Sequence, residues 1–402
     1  MKNFFLVVLM FTAIFAQTSA GDFYKDSKKA LIDGNLNLAK DKILSAIEAD
    51  NSNKEYRDFE SKIRNIQNSL ANASRSIKDR RFDDAIDKYN KVLEQHPNIV
   101  SAVHGLGKAY YYKKDFKKAV ENFKKAIEMD SSYLKAKTDY SNSVKQMYKS
   151  VKLVAENNPS KGIEMYRDVL KYDPKFYLAH YRIGKIYQLQ GNHSEAIKSF
   201  DSAISISKNQ PKIIFQTAKS FNDLGDTDSA IDRYLRAIEL DEKYFLAYKN
   251  IGDIYLDLKD FDNAIKYLNL AIEYDKKIKT AAYLSIAGAY NEKQMYKNTI
   301  KTLTKEGPSN KFDDELYYWY HLSVAYNESG DCANAEIAAT NTISNKKSKR
   351  FGGGYYELGR AQWCNGQGSK SKAERSMKNA RDDKNYRASA EYYLKYTLEA
   401  VN

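Results

Sequence analysis

Small, aromatic and polar positions recur in one order along the chain from Gly21 onward. In His104-Gly105-Leu106-Gly107-Lys108-Ala109-Tyr110 the apolar and small residues fall three and four apart, as on one face of a helix. A second segment, Asp115 to Ile127, repeats that spacing through Phe116, Ala119, Val120, Phe123 and Ala126. The paired pattern returns as Tyr181-Arg182-Ile183-Gly184-Lys185-Ile186-Tyr187 with Ala196, Phe200 and Ala203, and as Asn250-Ile251-Gly252-Asp253-Ile254-Tyr255 with Ala264 and Ala271. It predicts pairs of antiparallel amphipathic helices.

The small residue near the start of each second helix gives the register: Ala39, Ala85, Ala119, Gly162, Ala196, Ala230, Ala264, Thr299, Ala335 and Ala373. Five of the nine steps are 34 or 35 residues, and the first and third, at 46 and 43, are long. Small residues such as Gly107, Gly184, Gly252 and Gly359 let two helices approach, while Phe123, Phe200 and Tyr234 fill the space between them. One pair cannot bury its apolar face alone, so neighbouring pairs must stack. Pro97 and Pro174 stand at unit ends, where Pro does not continue a helix.

Aromatic, Leu, Gly and Tyr on a first helix, then Ala, Phe or Tyr and Ala on a second, resemble the tetratricopeptide repeat. The resemblance implies an all-α fold, a right-handed superhelical solenoid of about nine to ten helix-turn-helix repeats. Residues 21–65 then form a degenerate N-terminal capping repeat and an extended helix, and residues 66–349 the body of repeats. Residues 350–384 form a last repeat after a Gly-rich joint, and 385–402 a C-terminal capping helix.

The long steps come from long first helices. Tyr56, Phe59, Ile63, Ile66, Leu70, Ala73 and Ile77 form one seam, and Tyr140, Val144, Met147, Val151 and Val154 another. Such a helix either protrudes as a docking arm or packs on the preceding unit. Lys346-Lys347-Ser348-Lys349-Arg350 followed by Phe351-Gly352-Gly353-Gly354 reads as a basic turn and flexible joint, either an anion-binding hinge or a solvated loop.

At the N-terminus Lys2, the apolar run Phe4 to Ala16 and the small residues Thr18-Ser19-Ala20 predict a cleavable secretory signal over residues 1–20. That run is too short to span a bilayer, and no transmembrane segment is expected elsewhere. The formal charge of +13 and the 33 tyrosines are compatible with a solvated, aromatic-rich repeat protein and with anionic partners. In a secretory compartment Cys332 and Cys364, on one edge of adjacent units, either form a disulfide closing a loop of about 32 residues or stay apart as small apolar residues.

The five His show no metal-ligand spacing, the glycines make no phosphate loop, and pairs such as Asp83-Asp84 and Asp313-Asp314 read as helix caps. The expectation is a protein with no enzymatic activity, no cofactor and no nucleic-acid partner. The resemblance implies a concave groove on the first helices, lined by His104, Lys108, Tyr111 and Tyr112, by Tyr181 and Lys185, by Phe215, Lys219 and Asn222, by Lys249, and by Tyr356, Arg360 and Trp363. Lys108, Lys185 and Lys219 share one place and would make a basic, aromatic-flanked track for an acidic peptide. The carboxylate-clamp variant is not met, since Asp253 stands where Asn is wanted. The reading is a periplasmic or extracellular scaffold for partner proteins of an envelope complex, with a glycan binder that stacks sugars on Trp319 or Trp363 as the alternative. Oligomeric state is not readable from the pattern.

Overall fold

The computed structural model describes residues 19–275, 278–306, 316–345, 351–366 and 369–398. Residues 1–18 of the expected signal, the segment Gly307-Pro308-Ser309-Asn310, Asp313-Asp314, the expected basic turn Lys346 to Arg350 and residues 399–402 lie outside the described residues.

Among the described residues the chain is helical throughout, in ten successive pairs and a terminal helix. The pairs are α1 (Ala20–Ile32) with α2 (Leu36–Ala49), α3 (Lys54–Lys78) with α4 (Phe82–Gln95), α5 (Val100–Tyr112) with α6 (Phe116–Met129), and α7 (Leu134–Asn157) with α8 (Pro159–Tyr172). Then follow α9 (Tyr177–Leu189) with α10 (His193–Ile206), α11 (Pro211–Asp223) with α12 (Thr227–Leu240), and α13 (Phe245–Asp257) with α14 (Phe261–Tyr274). The last pairs are α15 (Lys279–Glu292) with α16 (Tyr296–Lys301), α17 (Leu316–Glu328) with α18 (Cys332–Ser344), and α19 (Gly352–Cys364) with α20 (Lys370–Ala380). The terminal helix is α21 (Arg387–Tyr393). Wider π-turns, Thr302–Glu306 and Leu394–Leu398, extend α16 and α21. The fold is an all-α helix-turn-helix repeat.

Turn chemistry explains the pairing. Most turns inside a pair hold one residue in the left-handed region, such as Gly225 (φ 82), Lys114 (φ 68) or Lys259 (φ 60), directly before the cap of the second helix. The next N–H returns to a carbonyl near the end of the first helix, as from Asp115 to Tyr110 and from Asp260 to Tyr255. Asp115, Asp226, Asp260 and Asp331 then accept a backbone N–H three residues on and start the second helix.

The register series is uniform: each of its ten residues is the fourth of the second helix of its pair. The eight alanines and Thr299 have no exposure, and Gly162 is buried. At this place the second helix crosses closest to the first, so a larger side chain has no room. Thr299 keeps its hydroxyl satisfied by donating to Asn291 Oδ1 at 2.7 Å.

The chain forms two compact units, divided between Ile186 and Tyr187 inside α9. In the first, Ile43, Ile63, Ala73, Ala85 and Ile99 anchor one core, with Phe23 and Tyr24 of α1 packed against it. First helices also meet the first helix of the next pair, α3 with α5 and α5 with α7. In the second, Ala218, Tyr234 and Ile251 form one core and Ala287, Leu303 and Leu322 another, and α15 meets α17 as α17 meets α19.

Several boundaries differ from expectation. Helix α3 runs unbroken through the boundary placed at residue 65, because its seam packs continuously: Tyr56, Ile63, Ile66 and Ala73 are buried in the first core. The seam of α7 also turns inward through Val144, Met147 and Val151, so both long helices pack and neither presents its seam as an arm. The expected flexible joint is the first turn of a helix: Gly352, Gly353 and Gly354 open α19 and are buried. A Cβ on Gly352 would lie 2.4 Å from Asp383 Cβ, and one on Gly354 2.8 Å from Thr342 Cγ2, so close approach accounts for these glycines. At the other end, α1 is capped by a reciprocal Ser19–Asp22 pair, and the cleavage point expected after Ala20 falls inside its first turn.

Candidate functional site

The structure separates the sequence-predicted groove residues into exposed and buried sets. In the first unit His104 is only 7% exposed. Its Nε2 lies 2.9 Å from Asp139 Oδ2, and its ring packs 5.1 Å from Tyr133 and 5.3 Å from Phe123. Burial draws its pKa down and Asp139 opposes the shift. His104 therefore fastens α5 to α7 and is corrected from groove residue to packing residue. Half-buried Lys108 and Tyr111 and exposed Tyr112 stay accessible on α5. Tyr112 stacks over Phe82 at 6.4 Å, and Tyr111 meets Phe116 edge-on at 5.6 Å.

Tyr181 and Phe215, expected on the groove, are also buried, at 9% and 5% exposure. Phe215 fills the space between Tyr234 at 5.4 Å and Tyr244 at 5.1 Å, where an aromatic residue closes the gap between pairs. Lys219 is exposed, and Lys185 and Asn222 are half-buried. Lys108 and Lys185 belong to the first unit and Lys219 to the second. Lys249 is paired one turn along its own helix with Asp253 at 2.5 Å, which neutralises its charge locally.

Arg360 is likewise committed. Its Nη2 lies 2.7 Å from Glu328 Oε1 and its Nη1 3.2 Å from Glu357 Oε2. Glu357 is 4% exposed, and burial raises its pKa against the pull of Arg360 and Asn327. Asn327 donates to the Glu357 carbonyl at 2.9 Å and to its carboxylate at 2.7 Å. Two other amides bridge successive pairs in the same way: Asn291 donates to the carbonyl of His321 at 3.0 Å and Gln188 to that of Gln216 at 3.1 Å. Each sits one place after the tyrosine of the repeat pattern, a signal the search for groove charges passed over.

The second unit holds an open cavity of about 670 Å³ where the first helices of three successive pairs come together. Leu256 of α13, Ser285 and Glu292 of α15, and Tyr320 and His321 of α17 line it, with Tyr296 at its rim. Burial pushes the His321 imidazole down to about 4, so it faces the cavity as a neutral ring. Gly288 leaves it space, since a Cβ there would lie 3.2 Å from His321 Cε1. The hydroxyl of Tyr320 meets that of Tyr386 at 2.9 Å, which fixes the aromatic wall. The site offers hydrogen bonding, one carboxylate and aromatic area. Among the described residues no group of three His, Cys, Asp or Glu is placed to hold a metal ion.

Cys332, which opens α18, is disulfide-bonded to Cys364, which closes α19, with Cα atoms 5.6 Å apart. Trp319 packs into the cluster around Leu303 and Leu322, and Trp363 into that around Met377 and Leu398. Both indoles are corrected from open stacking platforms to half-buried core residues.

Stacked helical pairs with first helices meeting first helices define a repeat protein whose function lies in its surfaces. Sequence profiles of the tetratricopeptide repeat match residues 100–133, 152–211, 218–258 and 247–278, and these segments are tetratricopeptide repeats. It is 24% identical over 177 residues to human tetratricopeptide repeat protein 6, covering 43% of this chain and 32% of that protein. It is 30% identical over 80 residues to photosystem I assembly protein Ycf3 of Synechococcus elongatus, covering 19% of this chain and 46% of that one. The chain thus spans a third to a half of these relatives' length. A tetratricopeptide repeat protein of Parabacteroides merdae superposes with a TM-score of 0.41 at 19% identity, over 62% of this chain and 98% of that one. Proteins of this repeat class are protein–protein interaction scaffolds.

Proposed function

We propose that this protein is a periplasmic scaffold that holds partner proteins of a cell-envelope assembly, and that the cavity of the second unit receives a partner side chain or loop. The observation that carries the reading is the meeting of three first helices around an open, polar and aromatic cavity whose neutral His321 is already desolvated. Ligand sites are concave and prearranged, with few polar groups in an apolar or aromatic lining. Tyr320 in its lining is committed to a hydroxyl contact with Tyr386, which holds that part of the wall and reduces the entropy lost on binding.

The compartment rests on the N-terminal pattern of the sequence and is supported by the Cys332–Cys364 disulfide, since disulfides persist where the surroundings are oxidising. No helix among the described residues is long and apolar enough to cross a membrane.

The test places a photo-crosslinking residue at Ser285 in the full chain, inside cells, and identifies the adducts from the envelope fraction by mass spectrometry. One or a few envelope proteins in stoichiometric yield, reduced at least about tenfold by Gly288→Leu, which fills the cavity, are the expected result. Adducts unchanged by Gly288→Leu, or none at all, would overturn the reading.

A further inference from the structure

The first unit has a cleft of its own, between α3 and α4. Two adjoining hollows, of about 560 and 480 Å³, share Lys62, Gln95 and His96 and form one channel. Lys62, Asn65 and Asn72 line it from α3, and Lys91 and Gln95 from α4. From Asp58 to Asn72 the helix rises about 20 Å. The 25-residue length of α3, against 13 in α5, supplies this run.

What marks the channel is that several of its polar groups have no partner among the described residues. Lys62 and Lys91 have no ion-pair partner and the side-chain amides of Asn65, Asn72 and Gln95 no hydrogen bond among the described residues, whereas Lys88 beside them is held by Asp84 at 2.8 Å. Asp58 is the one carboxylate in the lining. Burial, and then the Lys62 ammonium, hold the His96 imidazole below its ordinary range.

We propose that this cleft binds an extended acidic segment of a partner chain. Lys62, Lys91 and His96 complement its carboxylates, and the amides of Asn65, Asn72 and Gln95 each carry the donor and acceptor that a strand's backbone needs. A run of about 20 Å takes roughly six extended residues, more than a lone anion fills. The inference rests on the scaffold reading for having a partner chain, but it assigns a different surface and the chemistry of what lies there.

The test is fluorescence anisotropy of the full chain with a short fluorescein-labelled peptide of alternating Glu and Ala. Saturable binding is expected, weakening with salt and falling at least about tenfold in Lys62→Glu/Lys91→Glu. Lys219→Glu leaves it unchanged. Thermal melts of both variants check folding. A second readout is the His96 imidazole by NMR, flanked by Lys62, Lys91, Lys28 and Asp58, whose pKa rises when peptide carboxylates enter. Binding unaffected by the double substitution, no saturable binding, or displacement by inorganic phosphate as readily as by unlabelled peptide would overturn the proposal. Failure here with the Ser285 adducts intact removes the acidic-segment cleft and leaves the scaffold reading; the opposite pair of results does the reverse.

Discussion

The side-chain amide of Asn327 reaches across to the next helical pair and donates to both the carbonyl and the carboxylate of Glu357, at 2.9 and 2.7 Å. One residue thus satisfies a backbone oxygen inside the stack and a buried carboxyl group. Asn291 holds its next pair through a carbonyl and Gln188 through a carbonyl and the Ser220 hydroxyl, so the device recurs and the carboxyl group is the addition.

Asn327→Ala removes a donor from a carboxylate that remains buried, and unsatisfied buried acceptors cost more than a hydrogen bond gains. The expected loss is about 2 kcal/mol. Asn291→Ala, which leaves no charge uncompensated, loses about 1 kcal/mol. Urea unfolding of both variants measures the difference, and equal losses would show that the Glu357 carboxylate gains nothing from the amide.

Glu357 sets a pH dependence whose sign follows from its raised pKa. Between the unfolded value, about 4.3, and the higher folded one, the native state binds more protons than the unfolded state, so stability falls as pH rises. The contribution is fully present below the unfolded pKa and lost on passing through the folded one. Glu357→Gln keeps a neutral side chain, so its melting temperature should gain on the wild type as pH is raised from about 4. A constant difference across that range would contradict the assignment.

Gly354→Ala separates a joint from a packed turn. If the glycines served flexibility, alanine would stabilise the helix by up to about 1 kcal/mol. With Thr342 Cγ2 at 2.8 Å from the new Cβ and Asp383 close to Gly352, the substitution should instead lower the melting temperature. Differential scanning calorimetry decides the sign.

The Cys332–Cys364 bond closes a loop with a sequence separation of 32. In the chain-entropy account its removal costs about 4 kcal/mol. Cys332→Ser/Cys364→Ser should show faster amide hydrogen exchange in α18 and α19 with α3 to α5 unchanged, because the bond lies wholly within the second unit. Uniform loss of protection along the chain would point to a wider role.

The repeat itself is written in local order. Small residues at Ala39, Ala119, Ala230 and their equivalents, and the left-handed residue plus Asp at Lys114-Asp115 and Gly225-Asp226, act through chain geometry within a few residues, so the sequence alone determines paired helices and their register. Which face of a first helix stays open is set by neighbours 29 to 35 residues away. His104, Tyr181 and Phe215 occupy places that the pattern assigns to a groove, yet Asp139, Tyr133 and Tyr244 from other helices enclose His104 and Phe215, and all three are buried. The lysine and arginine charges read the same way in sequence, but packing pairs Lys249 with Asp253 and Arg360 with Glu357 and Glu328 while Lys62 and Lys91 have no ion-pair partner among the described residues. The triple glycine before the last pair reads as slack in one dimension, and only the approach of Asp383 and Thr342 makes it a contact. Local propensity and spacing fixed the helices; tertiary packing, which desolvates some of their side chains and strands others, decided which residues remain to bind.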